Sequence, residues 1–285
     1  MQQAARKKTT LRLLQQMKRD KKRIAALGVY DAPMAAIADE IGFELFVIGN
    51  SGPMSLFGYK ESVRVPASDL FYMTAAVSRV TRYAMVVSTM PYMSYAVSRE
   101  EGIRTAARLV SEAGAECVQC HGTADSLENI RAIVKAGVPV LAHLGLQSMR
   151  KTEQSGYGVR GRTAAEALPI VQDAMALAEA GAFAFILELV PQQVARYLQQ
   201  VLPVPVLSLG SGPFADGIYQ VSADVVGFSV FKRPNTAAQF CDAGAAARKG
   251  IETFVSRVKH REFPQVNSGA RMAPADAEKL IAPRK

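Results

Sequence analysis

The chain has 285 residues, of which 49% are apolar, and this is enough to fill one large hydrophobic core. No apolar run approaches the roughly 18 residues that a membrane span requires, and the first residues lack the pattern of a secretory signal. Three cysteines cannot make a paired disulfide framework. These properties argue against an integral membrane protein and a disulfide-rich secreted domain, and they predict a cytoplasmic protein.

The net charge of +9 is concentrated near the N-terminus. Basic runs occur there as Arg6-Lys7-Lys8, Lys18-Arg19 and Lys21-Lys22-Arg23. No aromatic residue is interleaved among them, as a stacking platform for nucleic acid would require, while Leu11, Leu14 and Met17 recur at helical spacing. We therefore predict that residues 1–22 form a basic helix packed on the domain, with no nucleic-acid or membrane partner. The charge also suits a small anionic substrate.

One pattern recurs along the chain: a helical stretch ends in a small residue and a glycine, and a short apolar run follows. An example is Glu179-Ala180-Gly181, which precedes an apolar run over 183–187. Together with weaker runs, the pattern predicts strands at 23–30, 45–50, 83–89, 116–121, 139–145, 183–189, 204–210 and 224–229. Strands that alternate with helices indicate a parallel sheet, and eight such units favour a closed (β/α)8 TIM barrel. We assign the barrel to 23–264 and a tail to 265–285.

Polar residues occur where these apolar strands end, which is where barrels of this type carry their catalytic groups. The candidates are Tyr30, Asn50, Ser51, Thr89, Gln119, His121, His143 and Glu188. Glu188 follows the apolar run 183–187, and a dry setting of this kind suits a general base; a structural ion pair is the alternative. His121 and His143 end adjacent strands, either as acid/base groups or as satisfied structural histidines.

The segment 147–163 follows the fifth predicted strand and shows no strand pattern. It is basic and rich in glycine, with Arg150, Lys151, Arg160 and Arg162 among its residues. This composition is typical of a mobile lid over an anionic substrate and equally of a solvated surface loop. The residues alone leave both interpretations open.

Taken in chain order, several short segments resemble one enzyme family over about residues 10 to 264. They are Tyr30-Asp31, Val47-Ile48-Gly49-Asn50-Ser51, Met90-Pro91-Tyr92-Met93-Ser94-Tyr95, His143-Leu144-Gly145-Leu146, Leu187-Glu188-Leu189-Val190-Pro191 and Gly210-Ser211-Gly212. The chain is thereby similar to ketopantoate hydroxymethyltransferases, also called 3-methyl-2-oxobutanoate hydroxymethyltransferases. The resemblance implies a barrel of the phosphoenolpyruvate/pyruvate superfamily that assembles as a homo-oligomer, usually a decamer.

The same resemblance implies a reaction. Members bind a divalent metal that chelates a 2-oxo acid, a glutamate removes a proton next to the carbonyl, and the enolate attacks a one-carbon unit carried by methylenetetrahydrofolate. Glu188 falls on the family's base, and Ser51 matches a serine beside the substrate carboxylate. The cofactors expected from the resemblance, if that activity is retained, are a divalent metal (Mg, Zn or Co) and methylenetetrahydrofolate.

The positions that carry charge around the family's metal differ in this sequence. Asn50 and Thr89 stand where the family has aspartates, and Gln119 and His121 stand where it has a lysine and a glutamate. A degenerate site of Asn50, Thr89 and His121 suits Mg²⁺ poorly, since hard cations prefer anionic oxygen ligands. A softer ion such as Zn²⁺ or Co²⁺ would find one ligand in His121.

Three functional hypotheses follow. In the first, an enzyme makes or breaks a C–C bond next to the carbonyl of a small 2-oxo acid or related carbonyl compound through an enolate. Glu188 is then the base, and His121, His143 and Gln119 replace the metal by donating hydrogen bonds to the oxyanion. The second is the standard metal- and folate-dependent hydroxymethyl transfer. The third is a catalytically silent binding or scaffold homologue.

Overall fold

The computed structural model describes residues 6–265 and 268–281, which fall into two compact units. The first unit ends at Phe240 and the second begins at Cys241. The helix Ala243–Lys259 belongs to the second unit, and none of its side chains is buried. The assignment of the barrel to 23–264 and of a tail to 265–285 stays a prediction.

The first unit is a closed barrel of parallel strands in sequential order, with the last strand paired to the first. The strands are β1 (Ile24–Gly28), β2 (Leu45–Ile48), β3 (Met85–Thr89), β4 (Cys117–His121), β5 (Val140–Gly145), β6 (Ala184–Glu188), β7 (Val206–Leu209) and β8 (Gly217–Val221). The predicted (β/α)8 fold is thus confirmed, and β1 to β7 each lie inside the range predicted for them.

The predicted position of the eighth strand is wrong. Residues 224–229 were expected to form it, but the strand is β8, and Asp224 lies in the short helix that follows. The apolar pair Val225-Val226 imitates a strand, whereas the true strand carries Tyr219 and Gln220 and so lacks a continuous apolar run. Its first residue is a glycine, and a Cβ at Gly217 would lie 2.2 Å from the carbonyl oxygen of Ile24.

Helices precede, separate and follow the strands along the chain. They are α1 (Leu11–Arg19), α2 (Ala32–Ile41), α3 (Ser51–Phe57), α4 (Ala67–Ser78), α5 (Arg99–Ser111), α6 (Leu127–Lys135), α7 (Ala164–Glu179), α8 (Gln192–Val201), α9 (Ser222–Val226), α10 (Ala243–Lys259) and α11 (Pro274–Ile281). Several begin with a side-chain cap: Asp31 accepts from the Met34 amide at 2.8 Å, and Ser98 and Thr163 cap α5 and α7 in the same way. No helix among these is long and apolar enough to cross a membrane.

Helix α1 packs against the N-terminal ends of the strands. Leu14 and Met17 are buried in the same apolar cluster as the inward-facing residues at the strand starts. The Lys18 ammonium lies 2.7 Å from the Asp216 carboxylate, just before β8, and both side chains are largely buried. The N-terminal end of the barrel is therefore closed by an apolar plug, and the polar interior lies at the C-terminal end.

Candidate active site

A continuous chain of hydrogen bonds crosses four adjacent strands at the C-terminal end of the barrel. The Thr89 hydroxyl donates to Gln119 Oε1 at 2.5 Å, and Gln119 Nε2 lies 2.6 Å from His143 Nδ1. His143 Nε2 in turn lies 2.9 Å from Glu188 Oε2. Neighbouring parallel strands bring these side chains together, since Gln119, His143 and Glu188 all point into the barrel from β4, β5 and β6. We call this set the relay.

His121 lies beside the relay but outside it. Its ring stacks on that of His143 with centroids 4.3 Å apart and planes 6° from parallel, as expected from their direct pairing in the β4–β5 register. Burial, reinforced by His143 and Arg150, lowers the pKa of His121 well below its ordinary value, so the ring is neutral at neutral pH. Its Nδ1 is buried and has no hydrogen-bond partner within the described part of the chain.

A second cluster consists of hydroxyl groups. The Tyr30 and Ser51 hydroxyls are hydrogen-bonded, and the Tyr219 hydroxyl bonds to both. Burial raises the pKa of both tyrosines, so they are protonated at neutral pH. A Cβ on Gly28 would lie 2.4 Å from the Tyr30 oxygen and 2.9 Å from that of Tyr219, so only glycine leaves room for the cluster. We call Tyr30, Ser51 and Tyr219 the hydroxyl cluster.

The two clusters lie close together. A Cβ on Gly49 would be 3.5 Å from the Thr89 hydroxyl of the relay and 3.8 Å from the Ser51 hydroxyl of the other cluster. Asn50 is buried next to them at the start of α3, and its side chain makes no cap hydrogen bond. The candidates read from the sequence therefore converge on one mouth of the barrel.

Tyr219 was missed because the eighth strand was misplaced. Its side chain points into the barrel, opposite Ala26 in the β8–β1 register, and it is almost completely buried. A signal existed in the sequence, because Gly217, Tyr219 and Val221 alternate as one face of a strand does. Tyr219 is the aromatic residue of that alternation, and it indicates a strand between Asp216 and the helix that begins at Ser222.

A cavity of about 880 Å³ opens beside His121. Its walls come from the loops after β3, β4 and β5 and from the short helical turn Ser62–Arg64. The lining side chains include Arg64, Tyr92, Tyr95, Thr123, Met149 and Arg150. The relay residues do not line it, so the cavity approaches the candidate site from the His121 side.

The segment 147–163 forms one wall of this cavity and is tied to the loops around it. Gln147 Nε2 donates to the Gly122 carbonyl at 2.9 Å, and the Arg160 amide donates to the Leu189 carbonyl at 2.8 Å. Arg150 pairs with Glu153, and Met149 is buried. The segment thus contributes side chains to the approach, whether or not it opens as a lid.

Gly145 lies so close to the backbone of Glu188 that a side chain at this position would not fit. It ends β5 with φ +90°, and a Cβ there would lie 2.2 Å from the Glu188 carbonyl oxygen and 2.7 Å from Val190 Cγ1. Gly145→Ala should lower the free energy of unfolding by about 2 to 5 kcal/mol, since it adds overpacking to an unfavourable φ. Gly156→Ala is the matched control, because φ is +101° there but no atom lies within 4 Å.

The control should lose only about 1 to 2 kcal/mol, the cost of the left-handed backbone conformation alone. Denaturant titration of both variants measures the difference. Equal losses in the two variants would show that the contact with the Glu188 backbone carries no penalty.

The donor groups of this mouth do not fit a hard divalent cation. In residues 6–265 and 268–281, no three His, Cys, Asp or Glu side chains converge as a metal site. The three residues of the possible degenerate metal site offer an amide (Asn50), a hydroxyl (Thr89) and an imidazole (His121). The Thr89 hydroxyl already donates a hydrogen bond to Gln119. Mg²⁺ prefers anionic oxygens, which this set lacks.

Comparison with known proteins gives the chain its family. The family model of ketopantoate hydroxymethyltransferase matches residues 8–266. The 3-methyl-2-oxobutanoate hydroxymethyltransferase of Ignicoccus hospitalis is 37% identical over 90% of this chain and 97% of its own length. The enzyme of the same name from Moorella thermoacetica is 37% identical over 92% and 97%.

Solved structures agree on the fold. A 2,3-dimethylmalate lyase of the PEP mutase/isocitrate lyase superfamily superimposes with a TM-score of 0.57 at 17% identity, over 95% of this chain and 94% of that one. A phosphonopyruvate hydrolase in complex with oxalate and Mg²⁺ gives 0.57 at 12% identity over the same shares. The barrel is common to all of them. From the family match and the identity over nearly its whole length, the chain belongs to the ketopantoate hydroxymethyltransferase family.

Proposed function

We propose that this C–C bond enzyme makes or breaks a bond next to the carbonyl of a small 2-oxo acid through an enolate, with Glu188 as general base. The observation that carries the proposal is the setting of the Glu188 carboxylate. Oε2 is held by His143, while the side chain is 21% exposed and so is open to a substrate. We assign Oε1 to the substrate proton.

The proposed reaction begins with the transfer of one proton. Glu188 takes the proton from the carbon next to the carbonyl, and the C–H electron pair becomes the enolate double bond as charge develops on the carbonyl oxygen. The enolate carbon then attacks a one-carbon electrophile of the aldehyde or iminium class, whose π-bond breaks; the π electron pair goes to its heteroatom, which takes up a proton. In the opposite direction the heteroatom loses its proton and re-forms the π-bond as the C–C bond breaks to give the enolate, and the protonated Glu188 returns its proton to carbon.

Neutral His121 is proposed to stabilise the developing oxyanion. It lines the cavity, and its neutral ring carries one N–H that can donate a hydrogen bond to the oxyanion. Ser51, Asn50 and Tyr30 are proposed to bind the substrate carboxylate, since the Ser51 and Tyr30 hydroxyls are bonded to each other and the buried Asn50 precedes Ser51 in the chain. A mouth furnished with such neutral donors can hold an anion without a metal.

The substrate that we favour is 3-methyl-2-oxobutanoate, which the names of the relatives supply. The cavity of about 880 Å³ lies in the range that holds drug-sized ligands, so it leaves room for a carrier of the one-carbon unit beside a small oxo acid. Methylenetetrahydrofolate is the carrier to test first. The enzyme is proposed to act as a homo-oligomer of the family type.

The test is exchange of the C3 proton of 3-methyl-2-oxobutanoate for deuterium, followed by NMR in D2O. We expect exchange by the protein as purified, and an unchanged rate after treatment with EDTA, because the neutral donors rather than a cation stabilise the enolate. Mg²⁺, Zn²⁺ and Co²⁺ added in turn should each leave the rate unchanged.

Two outcomes would contradict this proposal. Loss of exchange in EDTA with recovery on adding one metal would establish the metal-dependent reaction of the family. Absence of exchange with 3-methyl-2-oxobutanoate and a panel of other 2-oxo acids, together with no thermal shift from any of them, would indicate a silent homologue.

A further inference from the structure

We infer that Thr89 and Gln119 are positioning residues that act through His143 on Glu188 and do not touch the substrate; this rests on the proposed role of Glu188. The relay connects the four side chains in a line with donor–acceptor distances of 2.5, 2.6 and 2.9 Å. The two residues stand where the family resemblance implied charged groups. Here they are neutral and bonded to each other.

The direction of the hydrogen bonds in the relay follows from the Leu146 carbonyl and from the orientation of the Gln119 amide. The Leu146 carbonyl oxygen lies 3.1 Å from His143 Nε2, and a carbonyl can only accept. Nε2 therefore carries the proton and shares it between this carbonyl and the Glu188 carboxylate. Gln119 Nε2 faces His143 Nδ1 at 2.6 Å and can only donate, so Nδ1 is the acceptor.

The remaining two bonds are determined in turn. Only the NH2 end of the Gln119 amide can donate to His143 Nδ1, so its oxygen must face Thr89. That oxygen accepts the Thr89 hydroxyl proton. Donation thus runs from Thr89 to Gln119, from Gln119 to His143, and from His143 to Glu188.

This arrangement leaves His143 no acid/base role. Nε2 already bears its proton, Nδ1 is covered by Gln119, and one face of the ring is covered by His121 at 4.3 Å. The sequence left His143 as either an acid/base group or a satisfied structural histidine; we infer that it holds Glu188 Oε2. A ring fixed at both nitrogens and one face cannot turn away from the carboxylate.

Burial supports the distinction between positioning and contact. Thr89 is 1% exposed, Gln119 3% and the His143 side chain 4%, whereas the Glu188 side chain is 21% exposed. A substrate entering the mouth therefore meets the end of the relay and not its earlier members. Thr89 and Gln119 can influence the reaction only by the orientation that they impose on His143.

Nitrogen-15 NMR of the imidazoles tests the direction of the relay without any assay of activity. The chain has three histidines, His121, His143 and His260, so single His→Gln variants assign every signal. We expect His143 to carry a proton on Nε2 and to accept a hydrogen bond at Nδ1. Gln119→Met should move the Nδ1 resonance toward that of a free lone pair. A proton on Nδ1 of the native protein would overturn the inference.

Kinetics of deuterium exchange test the positioning role. Gln119→Met should lower kcat by about 10- to 100-fold with KM unchanged, because the substrate loses an aligned base but no contact. Thr89→Val should act in the same direction and more weakly. The double variant should be no slower than Gln119→Met alone, since both changes interrupt one chain of bonds.

Thr74→Val is the matched control. Thr74 is a fully buried threonine of α4 whose hydroxyl bonds to Ser88 at 2.8 Å, so the change removes a comparable bond outside the relay. It should leave kcat and the His143 resonances unaltered. A rise in KM at constant kcat in Gln119→Met, or multiplicative losses in the double variant, would instead make these residues substrate contacts.

The two proposals fail separately. If the native protein exchanges no proton, the proposed reaction is wrong, and the NMR result still decides the direction of the relay. If exchange occurs while His143 carries its proton on Nδ1, the base stands and the inference about Thr89 and Gln119 falls.

Discussion

Replacing Glu188 with glutamine is expected to lower the rate of deuterium exchange at C3 of 3-methyl-2-oxobutanoate by about 10² to 10⁴-fold. Glutamine preserves the size of the side chain and can still accept from His143 Nε2 through its amide oxygen. It cannot accept a proton from carbon. The loss should appear in kcat, with KM nearly unchanged, because the proposed carboxylate-binding groups, Tyr30, Asn50 and Ser51, do not include Glu188.

Glu112→Gln is the control for this change. Glu112 follows α5, pairs with Arg108 at 2.9 Å and is half-exposed, so the same chemical substitution there touches only a surface ion pair. Its exchange rate should equal that of the native protein. Exchange that survives in Glu188→Gln would transfer the role of base to another group and refute the proposal.

His121→Phe is expected to lower kcat by about 10² to 10³-fold, the usual effect of removing one oxyanion donor. Phenylalanine keeps an aromatic ring against His143 and removes both ring nitrogens. The native Nδ1 is buried and unpartnered within the described residues, so its removal should leave the free energy of unfolding unchanged or raise it. Steady-state exchange kinetics and denaturant titration measure the two effects on the same variant.

This pair of measurements separates a functional histidine from a structural one. A structural His121 would give lower stability and full activity in His121→Phe. The pH dependence supplies a further check. Because burial lowers the pKa of His121 below its ordinary value of 6.5, the unfolded chain binds a proton that the native state refuses. Its contribution to stability should therefore decline as the pH falls below about 6.5.

The fold could be predicted from the sequence because most of its barrel strands are short apolar runs that follow a glycine at the end of a helix. β6 illustrates this, since Gly181 ends the preceding helix and the strand Ala184–Glu188 is apolar up to its last residue. β8 illustrates the failure. There the interior position is occupied by Tyr219, whose hydroxyl is hydrogen-bonded to Tyr30 and Ser51 inside the barrel. A hydrophobicity pattern cannot predict a buried polar group of this kind.

The sequence predicted which residues lie in the candidate site better than it predicted the hydrogen bonds among them. Strand ends predicted that Gln119, His143 and Glu188 would meet, because parallel strands finish at the same rim. The hydrogen-bond partners within the site depend on side-chain rotation and on the position of the Leu146 carbonyl. Neither can be predicted from the residue types. The sequence predicted Gln119 as a substrate-binding residue, and the structure adds its hydrogen bonds to Thr89 and His143.

The buried carboxylates at the closed end of the barrel have a consequence for how such an enzyme can change. Asp39 accepts three consecutive backbone amides, those of Arg82, Tyr83 and Ala84, and Asp216 binds Lys18 and the Val206 amide. These anchors hold strand starts and depend on nothing at the other rim. Charged residues at the C-terminal rim can therefore be replaced by neutral ones without loss of the contacts that stabilise the fold. A barrel of this kind can change its catalytic groups while its fold stays stable.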